Sequence, residues 1–514
     1  MAKPISPFSL NSPGFYGLNT SDSPVDLSPN FALEATNLVI DKSGRLAVRK
    51  GWRTANTSNV DLGSSYIECI GELIQNDGTA TTLAAGNGCL FKLSAGALVK
   101  LTYGGGGAAP TISVNNWQFV QLNGHALFFQ RGYDPLIYDP ATSTTTFRRV
   151  SEHASYAGTL PQCNTAVSAY GRIWAADTTT DKNTIAFSDL LLPYKYTGGS
   201  AGTLNLIGIW PSGGDEIVAM AAHNNFLFIF GKWQILIYSG ADDPATMVLS
   251  DSIVGVGCIA RDSIQTTGED VWFLSDAGLL SLRRTIQEKS APFRPISKNI
   301  HEALRDAVSV ETAANIKSGY SAINNFYLLT LPTTQVTYCF DIRSPLEDGS
   351  ARVTVWRGVT AKAFYETFSR QFYLGKPGYI GEYFGYTDNS AQYRFVYLTA
   401  WVDFGNPTQQ SILKKILIDI IGGRNQTLVY KWGFDFNSGT YSQSVAIPST
   451  AAATAEYNVS EYNVDEYNAQ LGVNRLSVNS GGAGRVVQVG IEGQVVGYAI
   501  SIQRIDIYTK DGKI

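Results

Sequence analysis

The sequence predicts an all-β protein: a β-propeller of about seven blades (six to eight), with an N-terminal extended arm and an additional β-sandwich-like C-terminal region. The first observation behind this is a recurrence. Seven times a short polar turn opens an apolar strand, a second turn follows, and another apolar strand closes the unit. The first residues after the opening turns are Thr79, Ala126, Arg172, Phe226, Val271, Phe326 and Gln371. Six intervals between residues 79 and 371 average about 49 residues, near the length of four-stranded propeller repeats. The second observation is composition. Fifty glycines, 12% aromatic and 16% charged residues describe a turn-rich, β-leaning chain. The third is physical: one such hairpin cannot bury its own apolar face, so units must stack, and stacking around an axis leaves few open edges.

Taken in order, residues 1–50 form an extended arm and a hairpin. Pro4, Pro7, Pro13, Pro24 and Pro29 oppose regular packing, yet Phe8, Phe15, Tyr16 and Leu18 are apolar anchors that a solvated tail has little use for. The arm therefore lies along its own ring or along a neighbouring copy. Phe31 to Ala35 reads as a helical turn. Asn37–Ile40 and Arg45–Val48 flank the turn Asp41-Lys42-Ser43-Gly44 as a hairpin. Residues 51–394 are the propeller. Its best unit runs Phe226-Leu227-Phe228-Ile229-Phe230, turns at Gly231-Lys232, and returns through Gln234 to Tyr238. A helical insertion near 298–308 places Ile300, Leu304 and Val308 on one face, in the longest interval of the repeat. Gly375-Lys376-Pro377-Gly378 is a hairpin tip suited to gating. Residues 395–514 lose the period and form a C-terminal β-rich domain or ring closure. Ile500 to Tyr508 alternates there if one residue slips at Arg504. Tyr457, Tyr462 and Tyr467 recur five residues apart, a spacing of neither helix nor strand, and read as a polar excursion or a strap against another subunit.

A net charge of −4 argues against a protein that grips nucleic acid through many phosphate contacts. The 27 tyrosines suit either strands or surfaces buried between subunits. Cys69, Cys89, Cys163, Cys258 and Cys339 show no CxxC spacing, and read as buried thiols of a reducing compartment. No membrane segment or leader is expected.

No catalytic, cofactor-binding or metal-binding residue is assigned. His125, His153, His223 and His301 stand at least 28 residues apart, and a metal needs three or four convergent donors. HExxH and Walker motifs are absent. Asp139, Asp276 and Asp341 leave strands, where aspartate bonds its own backbone, although acids across a propeller mouth could pair as in a glycosidase. Ser275-Asp276-Ala277-Gly278 is only a fragment of the sialidase box. Lys414-Lys415 and Arg283-Arg284 are isolated basic pairs. The chain is not expected to be an enzyme.

Four segments carry a resemblance: FALEATNLVIDKSGRLAVRKGW, GDEIVAMAAHNNFLFIFGKWQILIYSG, DSIVGVGCIARDSIQTTGEDVWFLSDAGLLSL and YAISIQRIDIY. In that order and spacing, the chain resembles the tail nozzle family of short-tailed bacteriophages (podoviruses), also called tail tubular protein B. The resemblance implies a structural virion protein without cofactor. It would be one subunit of a homo-hexameric nozzle ring at the distal end of the tail channel, used in DNA ejection and assembled in the bacterial host cytoplasm. The implied partners are a tail adaptor (tail tubular protein A-like) and tail fibres, with viral DNA passing through without sequence-specific binding. The alternative from the residues alone is a carbohydrate-binding or carbohydrate-cleaving β-propeller protein, or a monomeric scaffold.

Overall fold

The computed structural model describes residues 5–114, 116–291, 295–403, 409–448 and 473–511. Six separate small sheets and a seventh sector follow one another around an axis. The seven inner strands are Ile67–Ile74, Gln118–Leu122, Thr165–Ala169, Ile217–His223, Gln265–Thr266, Lys317–Ser321 and Phe364–Glu366. Each touches the next, the fifth sector partly through the short turn Arg261–Ser263, and the last touches the first, so the ring is closed. All seven repeat positions read from the sequence fall within one residue of the start of a sector's second strand, from Ala80–Gly86 to Phe372–Lys376.

Closure uses glycine where neighbouring sectors crowd. A Cβ on Gly375 in the seventh sector would lie 2.2 Å from the carbonyl oxygen of Ile67 in the first. The outer strand of the seventh sheet, Arg53–Thr54, comes from the residues before the first blade, so both ends of the propeller segment meet in one sheet. The fifth sheet has three strands. The helix Leu282–Glu288 follows its third strand directly, capped by the Ser281 hydroxyl, and its Leu282 and Ile286 join the apolar cluster between the fourth and fifth sheets. Nothing in the repeat pattern announced this helix.

The sixth sector is the first part of a ten-stranded sheet. Lys317–Ser321, Phe326–Leu331, Val336–Asp341 and Arg352–Arg357 continue through Gly17–Leu18, Phe31–Thr36, Tyr393–Thr399, Val487–Val495 and Thr427–Phe434 to Asn437–Ala446. The far half of this sheet packs on a seven-stranded sheet built around Ser411–Gly422 and Ile500–Asp511. Ile416, Ile418, Ile502 and Ile507 share one core with Tyr397, Tyr430, Val489 and Ile491. The slip expected at Arg504 is present, because Asp419 pairs with Arg504 while Ile420 pairs with Ile502.

The arm does not project. Ile5–Asn11 pairs antiparallel with Ile500–Asp511, and Phe15 is fully buried against the Tyr397 ring. The hairpin Leu38–Ile40 with Leu46–Val48 forms as expected. Phe31–Thr36 does not make a helical turn: it is a strand between Gly17–Leu18 and Tyr393–Thr399. A register shift between Ala32 and Glu34 brings Ala32 and Ala35 to the buried side three residues apart, which imitates a helical period. The expected helix appears as a 3-10 turn, Lys298–Ile300, leading into His301–Ser309, with Ile300 and Leu304 buried. Gly375 to Gly378 is no free gate. Gly375 and Gly378 donate to the carbonyls of Ala363 and Ser65, and the buried Lys376 ammonium lies 4.1 Å from the centre of the Trp52 ring. The Tyr457, Tyr462 and Tyr467 repeat lies outside the described residues. Among the described residues, no helix is long and apolar enough to cross a membrane.

Candidate functional site on the propeller axis

Where the inner strands converge they enclose a cavity of about 230 Å³. Its walls come from the first, second, fourth, fifth, sixth and seventh sectors. The third reaches it through Asn164, just before its inner strand. Apolar sheet faces pack between blades, so what faces the axis is whatever each inner strand projects inward. Here that is an array of ions.

Arg261 is its hub. From the fifth sector it crosses to the third, donating to the Asn164 carbonyl at 2.6 Å and to Asn164 Oδ1 at 3.1 Å. It also crosses to the second, donating to the Trp117 carbonyl at 3.1 Å and Asn116 Oδ1 at 3.0 Å. Its Nε and Nη2 hold the two oxygens of Asp262 at 2.7 Å each. Lys317, from the sixth sector, donates to the same carboxylate. Burial opposes the charge on Asp262, but Arg261 and Lys317 outweigh it and hold the carboxyl well below the usual range. On the same wall Lys362 of the seventh sector pairs with Glu68 of the first at 2.8 Å. Three cations and two carboxylates nearly balance, and every acid among these five has a cation on it.

This arrangement binds blades together and is poorly suited to acid–base catalysis. A general acid needs a raised pKa, and Asp262 is pushed the other way. It is also no bore: 230 Å³ admits a few waters or one small molecule, not a nucleic-acid strand. One group is unspent. The buried Trp117 Nε1 has no hydrogen-bond partner beside this cavity.

Sequence reasoning passed over Arg261-Asp262. Their signal was adjacent opposite charges inside an otherwise apolar segment, Cys258-Ile259-Ala260 to Ile264, in a chain sparing with charge. Two of the strand-end acids behave as expected: Asp139 accepts from the Ala141 amide at 3.0 Å and Asp341 from the Arg343 amide at 3.3 Å. The cysteines form no disulfide, and burial pushes the Cys69 thiol up to about 12 and that of Cys258 to about 11. The histidines are less scattered than their spacing implies. The fold sets His125 and His153 edge to face at 5.8 Å.

No family model and no curated protein matches the chain. Solved structures that are similar include the extracellular domain of a hybrid two-component system of B. thetaiotaomicron, with 11% identity and a TM-score of 0.39 over 66% of this chain and 42% of that one. The extracellular domain of a one-component system of the same organism is also 11% identical, with a TM-score of 0.41 over 88% of this chain and 58% of that one. The WD40 domain of Neurospora crassa Pan2 is 10% identical, with a TM-score of 0.35 over 65% of this chain and 96% of that one. The chain thus spans less than two thirds of the first two. The likeness concerns the fold alone, and the propeller is read from the order of its own sheets.

Proposed function

We propose that the chain is a structural virion protein, a subunit of a tail nozzle ring of six copies through which DNA leaves the particle. The observation that carries this reading is the axis sealed by Arg261, Asp262 and Lys317. A propeller locked at its centre serves as a wall block, and a conduit made from such blocks runs between copies. The sequence resemblance supplies the virion context. The outer edge strand of the fourth sheet, Val248–Val254, supports lateral contact: Val248, Leu249 and Val254 are exposed along an edge that no other strand among the described residues pairs, with exposed Trp233 beside Gln234, which pairs with Val254. A net charge of −4 suits transit of DNA over retention. The reading assigns no catalysis, places the protein in the tail, and makes a tail adaptor and fibres its partners.

Native mass measurement and negative-stain imaging of the purified chain, alone and with a tail adaptor, test it. Closed rings with an axial channel are expected. A chain that stays monomeric on the adaptor overturns the proposal. A second reading, a propeller that binds carbohydrate, is favoured by the unpaired Trp117 Nε1 beside the axial cavity, where Phe119 and Tyr365 also lie. Glycan binding abolished by Trp117→Phe, which keeps the ring and removes the N–H, would select it.

A further inference from the structure

We propose that His125, Asp139 and His153 form a binding site for one divalent transition-metal ion of the zinc class. One donor atom from each residue lies within 4.8 Å of the other two. The local fold makes this meeting. His125 opens the second strand of the second sheet, and the pairing of Ala126 with Tyr138 brings Asp139 alongside it. His153 follows the turn Val150–Glu152 after the fourth strand, whose last residue Arg149 pairs with Leu136, and the chain turns back from there to set the His153 ring 5.8 Å from that of His125.

The three groups converge without bonding one another. His125 Nε2 stands 3.9 Å from Asp139 Oδ1, beyond hydrogen-bond range. Each is held by a different neighbour. The Asn123 carbonyl lies 2.8 Å from His125 Nδ1, which fixes the proton there and leaves Nε2 free to ligate. Asp139 is oriented by the Ala141 amide and the Thr142 hydroxyl. The His153 ring is stacked on Tyr194 of the third sheet, with centroids 3.7 Å apart and planes 13° from parallel. The Ser155 amide donates to His153 Nδ1 at 3.2 Å, so ligation by this ring breaks that bond: either the metal takes Nδ1, or it takes Nε2 and the proton moves to Nδ1.

Zinc bonds of about 2.0–2.2 Å set tetrahedral ligands roughly 3.3 Å apart, so side-chain rotations that close up to about 1.5 Å bring the donors to ligand spacing. Two imidazoles and a carboxylate suit zinc, cobalt or nickel better than calcium or magnesium, and three protein ligands leave a fourth position for water. A metal here would tie the start of the second strand and the end of the third to the turn that follows the fourth, beside the third sheet. This inference stands apart from the nozzle reading.

The full-length chain, dialysed against a chelator, would be titrated with zinc chloride by calorimetry and with cobalt chloride by visible absorption. One ion per chain is expected, with the cobalt spectrum of nitrogen and oxygen ligation and a zinc-dependent rise in unfolding temperature. His125→Ala, His153→Gln and Asp139→Asn should each weaken binding at least 10-fold while far-ultraviolet circular dichroism stays unchanged. Absence of saturable binding by the unaltered protein overturns the proposal. So does affinity that survives in folded His125→Ala and His153→Gln.

Discussion

The guanidinium of Arg49 clasps the carboxylate of Asp388 with two parallel hydrogen bonds of 2.7 Å, joining residues 339 apart in sequence. Arg49 is fully buried. Its Nε donates to Asn37 Oδ1 at 3.0 Å, and its charge lies 4.1 Å from the centre of the Tyr393 ring. Hairpin, propeller end and sandwich strand meet at this one side chain. Asp388→Asn should destabilise the protein by about 3–5 kcal/mol, because it leaves the guanidinium buried without its counter-charge. Denaturant unfolding checks this, and a loss under about 1 kcal/mol would show that the clasp is not holding the junction.

The axial ions set an acid limit. Because the folded pKa of Asp262 is depressed, its contribution is complete above the ordinary carboxylate value of about 4 and is lost as pH falls below it. The unaltered chain should therefore lose more stability between about pH 5 and pH 2 than Asp262→Asn does, as read by urea unfolding at each pH. Equal slopes would contradict the assignment of the hub.

Asp341 titrates with the opposite sign. Burial raises its carboxyl to about 6, against the pull of Arg343. A raised folded pKa means that its contribution is full below about pH 4 and is lost as pH rises through about 6. Asp341→Asn keeps an acceptor for the Arg343 amide and should stabilise the chain by about 2 kcal/mol at pH 8, with no gain at pH 4. Thermal unfolding at the two pH values decides it.

Ring closure rests on Gly375. Adding a methyl group 2.2 Å from the Ile67 carbonyl forces the seventh and first sectors apart, so Gly375→Ala should cost at least about 2 kcal/mol. The same change at Gly214, whose Cβ would meet nothing within 4 Å, serves as the control. Limited proteolysis between the first and seventh blades should quicken only in the Gly375 variant.

The fourth-sheet edge offers a test of assembly that leaves folding alone. Leu249→Lys and Val254→Lys place charge on exposed positions, where substitutions usually shift stability by under about 0.5 kcal/mol. If copies meet along this edge, both variants should fold normally yet fail to form rings in native mass spectra. Undiminished rings would exclude this edge as the contact.

The propeller was legible because each blade repeats one local grammar: a polar turn before Phe226 or Phe326 marks a second strand wherever it occurs. The pairings between distant segments were not. Phe31–Thr36 takes both neighbours from elsewhere in the chain, and its shift at Leu33 disguises alternation as a helical period. Arg261 was hidden for a related reason. Its partners, Asn116, Trp117 and Asn164, lie more than 90 residues upstream, and only the circular order brings them to one point. His125 and His153 likewise meet only because the chain turns back after the fourth strand, a return that residue spacing alone does not encode.

The ten-stranded sheet makes the molecule one lamina across what would otherwise be a seam. Gly17–Leu18 and Phe31–Thr36 are stitched between Arg352–Arg357 on the propeller side and Tyr393–Thr399 on the other. Tension along these strands loads their hydrogen bonds in shear, many at once, whereas a hinged connection would peel open one bond at a time. The two halves should accordingly share mechanical load as a continuous plate.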